Sequence, residues 1–236
     1  MPQERFFVEQ PLKEKEIVAL DGKEFHHLTN VMRMREKDAV EIINGFGELA
    51  TATIQSIQKK QALLFIEKVI SEKFPSFAVI LAQGLPRLNR LDFILEKAVE
   101  LGATEIWLFP GDLSERKDVS ESQKERISAI LIAAMKQCGR LHFPKLIFKP
   151  KLSLWEDLPY PAFFGDTEKN APLFSPEEIR KDKGILIFIG PESGFSKKEE
   201  EKLKSLKAKG VKLNPYILRT DTAAITALAL IAHAIS

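Results

Sequence analysis

The chain has 236 residues, 44% of them hydrophobic and 29% charged, with a formal net charge of +2. That supports a soluble globular protein of one large or two modest domains, and leaves any nucleic-acid-binding surface to local clustering of cations. Cys138 is the only cysteine, which excludes an intramolecular disulfide and fits a reducing, cytoplasmic compartment.

The N-terminus, Met1 to Arg5, is charged and lacks the apolar centre of a signal peptide. From there to residue 72 the chain reads as short strands. Arg5 to Val8, Ile17 to Leu20, Val40 to Ile43, Leu49 to Ile54 and Ala62 to Val69 are β-rich runs parted by turns such as Asn44-Gly45. One helix interrupts them, capped by Asp21 with Glu24 three residues on, and Phe25, Leu28, Val31 and Met32 fall on its apolar face. This predicts a small N-terminal β-barrel domain over residues 1–72.

Residues 73–236 alternate strands with longer helices, which predicts an α/β domain with a mostly parallel sheet. Phe77 to Ala82 is an apolar strand, and Leu91, Ile94, Leu95, Ala98 and Leu101 mark a helix that Gly102 terminates. Ile106 to Phe109 forms the next strand. Ser120 and Gln123 form a capping box for a helix whose apolar face holds Ile127, Ile130, Leu131, Ala134 and Cys138, so the thiol reads as structural. Ser175-Pro176 opens a short helix. Ile185 to Ile189 is a strand buried on both faces that Pro191 must end, and Ser196 with Glu199 caps a helix running to about Gly210. Ala223 to Ile235 is shorter than the roughly 20 residues of a membrane helix and reads as a core helix.

Two stretches are candidates for chemistry, the first also readable as a plain connecting turn and the second as a simple helix cap by Thr220 or Asp221. Gly190 to Ser196 is a glycine-bearing turn from strand to helix, where backbone N–H groups and close approach favour a ligand. Leu213 to Ala223 places an arginine and three cap-capable side chains ahead of a small-residue helix. Arg116 lies beyond a strand end, where ligands collect in parallel sheets. Arg5, His27, Arg33 and Arg35 cluster in the N-terminal part and either contact phosphates and stack on bases or form a solvated charged face. No metal site is expected, because adjacent His26 and His27 do not face each other on a helix.

Leu85-Pro86-Arg87, Glu96 to Ala103, Ser114-Glu115-Arg116, Gln137 to Arg140, Gly190 to Ser196 and Ile217 to Ala223, in that order, resemble the RsmE family of 16S ribosomal RNA uridine-N3 methyltransferases, within the SPOUT superfamily. The resemblance runs through essentially the whole chain. It implies a PUA-like RNA-binding N-terminal module, a SPOUT methyltransferase domain with a C-terminal trefoil knot, a homodimer, and S-adenosyl-L-methionine as cofactor. It assigns the cofactor to Phe164, Ile189, Gly190, Pro191, Glu192, Gly194, Leu213, Asn214, Ile217 and Leu218, and adds Arg87 and Arg140 to the RNA-binding residues. Ser193, Asn214 and Asp221 stand where the family usually has glycine, glycine and glutamate.

The implied chemistry is methyl transfer to N3 of a uridine in the small ribosomal subunit. The N3 proton must leave, and a cation near the adjoining carbonyl oxygens stabilises the charge that develops. Arg219 is the expected cation, Arg116 its assistant or a phosphate grip, and Glu192 or Asp221 the candidate base. Two alternatives stay open: a non-catalytic RNA-binding or ribosome-assembly protein, and a SPOUT enzyme acting on another RNA nucleotide.

Overall fold

The computed structural model describes residues 4–179 and 183–235. Five strands near the N-terminus, β1 (Arg5–Phe7), β2 (Ile17–Asp21), β3 (Ala39–Ile43), β4 (Glu48–Ile57) and β5 (Gln61–Ser71), make one sheet in the order β1-β3-β4-β5-β2. Period-two alternation puts Val18, Leu20, Val40, Ile42, Ala50, Ala52, Ile54, Ala62, Leu64 and Ile66 on one buried face. Register shifts in β4 at Thr51/Ala52 and Ile54/Ser56 help curl it. Because β1 and β2 remain edge strands, the module is a curled half-barrel rather than a closed cylinder.

Between β2 and β3 the chain forms a single α-turn, α1 (Gly22–His26), and then a π-helical turn over His27–Val31. The π-turn, closed by Met32 N–H donating to the His27 carbonyl, adds a residue to the turn and rotates the segment beyond it. Leu28 is buried as the periodicity predicts, but Val31 is 58% exposed. Asp21 makes no side-chain cap. The neighbouring Glu24 instead accepts from Phe7 N–H at 3.1 Å and pairs with Lys136 at 2.9 Å.

The chain divides into two compact units: residues up to Phe74 together with Met135–Phe143, and Pro75–Ala134 with Pro144 onward. The second contains β6 (Ala78–Gly84), α2 (Leu88–Glu100), β7 (Glu105–Phe109), most of α3 (Glu121–Cys138), β8 (Lys145–Phe148), β9 (Ala162–Gly165), β10 (Gly184–Ile189), α4 (Lys197–Ser205), β11 (Lys209–Val211) and α5 (Thr220–Ile235). Its six strands are parallel, in the order β11-β9-β10-β6-β7-β8. From β6 the chain proceeds through α2 to β7 on one side, while β10 and β9 lie on the other. The carboxyl ends of β6 and β10 therefore flank a switch in winding direction, where open parallel sheets leave a crevice.

Local signals explain these elements. All six residues of β10 are buried, as its unbroken apolar run requires. Leu91, Ile94, Leu95 and Ala98 of α2 are buried, and Gly102, with φ +83°, lies two residues past its end. Ser120 and Gln123 exchange hydrogen bonds at the start of α3. At α4, Ser196 Oγ accepts from Glu199 N–H at 3.2 Å while Glu199 accepts from Ser196 N–H at 2.8 Å. Such a cap is worth about 1 kcal/mol.

Three local expectations are corrected. Cys138 is exposed in the last turn of α3, because Met135 takes the buried position there. The helix after Ser196 stops at Ser205, and Gly210 belongs to β11, where a side chain would collide with Asp166 and Phe164. Ser175-Pro176 opens only a 3-10 turn, Pro176–Glu178, with no side-chain cap.

Candidate active site

A cavity of about 550 Å³ opens at the carboxyl ends of β9, β10 and β11. That is a size suited to a small-molecule cofactor. One wall is Gly165, Asp166, Thr167 and Lys169, after β9; a second is the turn Ile189 to Phe195, after β10; a third is Val211 to Leu218, after β11. Thr220 and Ala223 of α5 close it.

The second wall folds as it does for local reasons. Pro191 has no N–H to continue the ladder, and Gly194, with φ +72°, turns the chain so that its N–H donates to the Pro191 carbonyl at 2.9 Å. A Cβ on Gly190 would stand 3.0 Å from the Gly194 carbonyl carbon and 3.2 Å from Phe195 N, so the turn closes tightly only over glycine. Buried Glu199 extends the capping box, also accepting from Asp112 N–H at 3.0 Å, and Ser196 Oγ donates to Asp112 Oδ2 at 2.8 Å. The turn is thereby tied to the loop after β7, which leads to Ser114, Glu115 and Arg116.

Of the residues assigned to a cofactor from sequence, Ile189, Gly190, Pro191, Glu192, Gly194, Leu213, Asn214, Ile217 and Leu218 line this cavity. Phe164 does not. It is fully buried, backing the wall through an edge-on contact with Phe195, and its place on the surface is taken by Gly165 and Asp166. Ser193 lines the cavity too, and Asn214 Oδ1 accepts from Tyr216 N–H at 3.0 Å, shaping the third wall. Tyr216 and Ile217 are 82% and 80% exposed, an apolar pair on that loop.

A charged chain runs along one side. Glu192 Oε1 accepts from Arg87 N–H at 3.0 Å and lies 3.5 Å from Arg90 Nε, while Arg90 Nη1 contacts Asp221 Oδ2 at 2.7 Å. Asp221 Oδ1 accepts from Thr222 N–H, so both its oxygens are engaged. The Arg87 side chain forks onto Glu115, and its hydrogen bonds, followed by its charge, hold that carboxyl below the ordinary value. Arg219 is exposed and Arg116 half-buried, and neither side chain has a hydrogen-bond or ion-pair partner among the described residues. Arg219 does not line the cavity.

Sequence reasoning missed Arg90, Asp166 and Gln83. Arg90, one turn from Arg87, is readable from sequence only as a polar-face helix residue; Gln83 carries a clearer signal, a lone polar residue near the end of an apolar strand. In the N-terminal unit, Arg33 and Arg35 are exposed and His27 half-buried, with its ring 5.8 Å from Phe6. Arg5 is paired with Glu41 at 2.6 Å rather than free. Arg140 is half-buried, and burial lowers the proton affinity of its guanidinium. No group of three or more candidate metal-ligating side chains occurs among the described residues, and no helix there is long and apolar enough to cross a membrane.

Similarity to known proteins agrees with this arrangement. Residues 72–232 match a model of the RNA methyltransferase domain, and residues 20–67 match the RNA methyltransferase PUA domain. Ribosomal RNA small subunit methyltransferase E of Bacillus subtilis is 30% identical over 98% of this chain and 96% of its own. The crystal structure of a ribosomal RNA small subunit methyltransferase E from Neisseria gonorrhoeae, bound to S-adenosyl methionine, is 27% identical with a TM-score of 0.83, covering 97% of this chain and 96% of that one. A predicted RNA methyltransferase from Thermotoga maritima is 31% identical with a TM-score of 0.78, covering 98% of each.

Proposed function

Since this chain belongs to the ribosomal RNA small subunit methyltransferase E family, we propose that it methylates N3 of a uridine in 16S ribosomal RNA, using S-adenosyl-L-methionine. The observation that carries the reading is the cavity at the ends of β9, β10 and β11, walled by backbone-rich loops and closed over Gly190.

The residues present fit that cofactor. Ile189, Leu213 and Leu218 offer apolar surface for a flat base, Asp166 a carboxylate for hydroxyl groups, and the Gly190 turn a side-chain-free backbone. When bound, the cofactor supplies an electrophilic sulfonium methyl group. The chain's own residues do the rest. The three loops hold the donor and exclude water from it. Arg219, whose side chain is not committed elsewhere, neutralises charge developing on the uracil oxygens as N3 loses its proton. Arg116, on the loop tied to the turn by Glu199, grips a phosphate or assists.

Glu192 is better placed than Asp221 to take the proton. It lines the cavity and keeps Oε2 clear of the contacts made by Oε1, whereas Asp221 is engaged at both oxygens. The target uridine must be unstacked, because pairing hides N3. Arg33, Arg35 and His27, with Arg5, Arg87 and Arg140, form the RNA-binding set of this reading, and a trefoil knot in the C-terminal part, a homodimer and a cytoplasmic location complete it.

The test is incubation of the protein with labelled S-adenosyl-L-methionine and unmodified small subunits, then mass spectrometry of the nucleosides. We expect N3-methyluridine at one position, with single-turnover methylation by Arg219→Ala slowed about 100-fold, the typical scale for one oxyanion-stabilising group. Label on another nucleoside, or none, refutes the assignment. Wild-type turnover by Arg219→Ala at saturating RNA refutes the role of that residue.

A further inference from the structure

Gln83 is the penultimate residue of β6, after Val79, Ile80, Leu81 and Ala82, and it is fully buried between β10 and β7, in register with Ile189. A polar side chain in such a place is unfavourable unless its hydrogen bonds are used. Its Nε2 lies 2.9 Å from the Gly84 carbonyl, 3.0 Å from Thr220 Oγ1, 3.2 Å from the Gly190 carbonyl and 3.4 Å from the Ile189 carbonyl. Thr220 Oγ1 in turn donates to the Gly190 carbonyl at 2.6 Å. The amide orientation follows from chemistry: reversed, its oxygen would face three carbonyl oxygens, and the Thr220 proton is already given to Gly190. Gln83 Oε1 is left as a buried side-chain acceptor without a partner. Retaining that unmet acceptor makes physical sense where placement of the NH₂ group matters more.

We infer that Gln83 is the positioning residue of the cavity, a buried amide that registers the Gly190 turn against the first residue of α5. The proposal rests on the methyl-donor reading of the cavity and adds to it the element that shapes the donor's seat. Three segments meet at this side chain: the end of β6, which leads to Arg87 and Arg90; the turn carrying Glu192; and Thr220, flanked by Arg219 and Asp221. The peptide joining Gly190 to Pro191 has no N–H, so its orientation depends on what its carbonyl accepts, and that is Thr220 and Gln83. Gly84, next in the strand, leaves room for the turn to settle, since a Cβ there would stand 2.8 Å from Pro191 Cδ. Leucine is apolar and has none of glutamine's donors; glutamate would set an acceptor against acceptors.

The test compares Gln83→Leu, Thr220→Val, Thr220→Ser and the double variant Gln83→Leu/Thr220→Val with the wild type. Calorimetric titration with S-adenosyl-L-methionine is expected to give a dissociation constant raised about 10-fold in Gln83→Leu and in Thr220→Val, the scale of one hydrogen bond lost from a buried network. Thr220→Ser should stay near wild type. The double variant, which alone leaves the Gly190 carbonyl with neither side-chain donor, should lose more than either single one. Leu81→Ala, a core truncation in the same strand, should lower the melting temperature while leaving the dissociation constant within twofold.

Hydrogen exchange on the ligand-free protein reads the same proposal without the donor: amides of residues 192–194 should exchange faster in Gln83→Leu and Thr220→Val, and those of α2 should not. A wild type that binds no donor sinks the methyl-donor reading alone, and the exchange pattern still decides the role of Gln83. Unchanged exchange at 192–194, or binding within twofold of wild type in Gln83→Leu, overturns it. If Gln83→Leu does not fold, the contrast between Thr220→Val and Thr220→Ser decides the role of the carbonyl they share: equal exchange at 192–194 in those two variants overturns the proposal, and faster exchange in Thr220→Val alone supports it.

Discussion

Gly190→Ala isolates what the turn after β10 contributes. The added Cβ would meet three backbone atoms at once, the Gly194 carbonyl carbon at 3.0 Å, the Gly194 Cα at 3.2 Å and Phe195 N at 3.2 Å. Backbone cannot rotate aside as a side-chain tip does, so the turn must open by a few tenths of an ångström. Overpacking of this kind costs about 1–3 kcal/mol. In the free protein the turn can relax much of that strain by opening; donor binding requires it closed, so the strain returns in the bound state. At 1.4 kcal/mol per tenfold, S-adenosyl-L-methionine affinity should fall by about 5- to 150-fold. Gly102→Ala is the control: Gly102 has φ +83° but nothing within 4 Å of its Cβ, so alanine there adds about 1–2 kcal/mol of left-handed backbone strain, far from the cavity walls. Calorimetry and thermal melts on the two variants should separate cleanly, with Gly102→Ala less stable and binding normally. Donor affinity in Gly190→Ala within twofold of wild type would refute the claim that the turn closes only over glycine.

Two further outcomes concern the charged chain. Arg90→Ala leaves Asp221 and Glu192 without their shared cation at a half-buried site, and about 1–2 kcal/mol, between exposed and buried pairs, should appear as a fall in melting temperature of about 2–8 °C. Adding Asp221→Asn should recover part of that loss, and strict additivity in the thermal melts would show that the pair is not coupled. For Arg87 and Glu115 the sign is set by a carboxyl held below its ordinary value of 4.5: the pair stabilises above that value and its contribution is lost as pH falls through the depressed one. Both side chains are more than 60% exposed, at 63% and 65%, so solvent screens the effect. Arg87→Ala should therefore move the Glu115 titration upward in an NMR experiment while its melting temperature at pH 7 matches wild type.

What could be read in the sequence was what neighbouring residues decide together. The Ser196–Glu199 box, the termination of α2 near Gly102 and the buried run of β10 depend on residues within a few positions of one another, and they form as expected. β9 and β11 are only four and three residues long, too short to announce themselves by periodicity, and they supply the first and third walls of the cavity. Phe164, expected on the cavity, is turned into the core by the pleat, which hands the surface to Gly165 and Asp166. Val31 shows the same limit on the helical side, since the π-turn that exposes it breaks the 3.6-residue rhythm on which the expectation relies. Gln83 stands out as polar in an apolar strand, but neither it nor Arg90 can be assigned to the site from sequence, because their partners lie far along the chain: Asp221 is 131 residues from Arg90, and Thr220 137 from Gln83.

The last turn of α3 clusters with the N-terminal unit, and Lys136 reaches Glu24 across 112 residues of sequence. That has a consequence for biosynthesis. The first 74 residues leave the ribosome without Met135–Phe143, the segment that completes their unit, and synthesis at about 5–20 residues per second leaves them waiting roughly 3–14 s for it. During that interval Phe6, stacked on Lys136 in the finished protein, lacks its cation, and Glu24 lacks its counter-charge. The half-barrel is first in the message, yet its unit is complete only once residue 143 has been made.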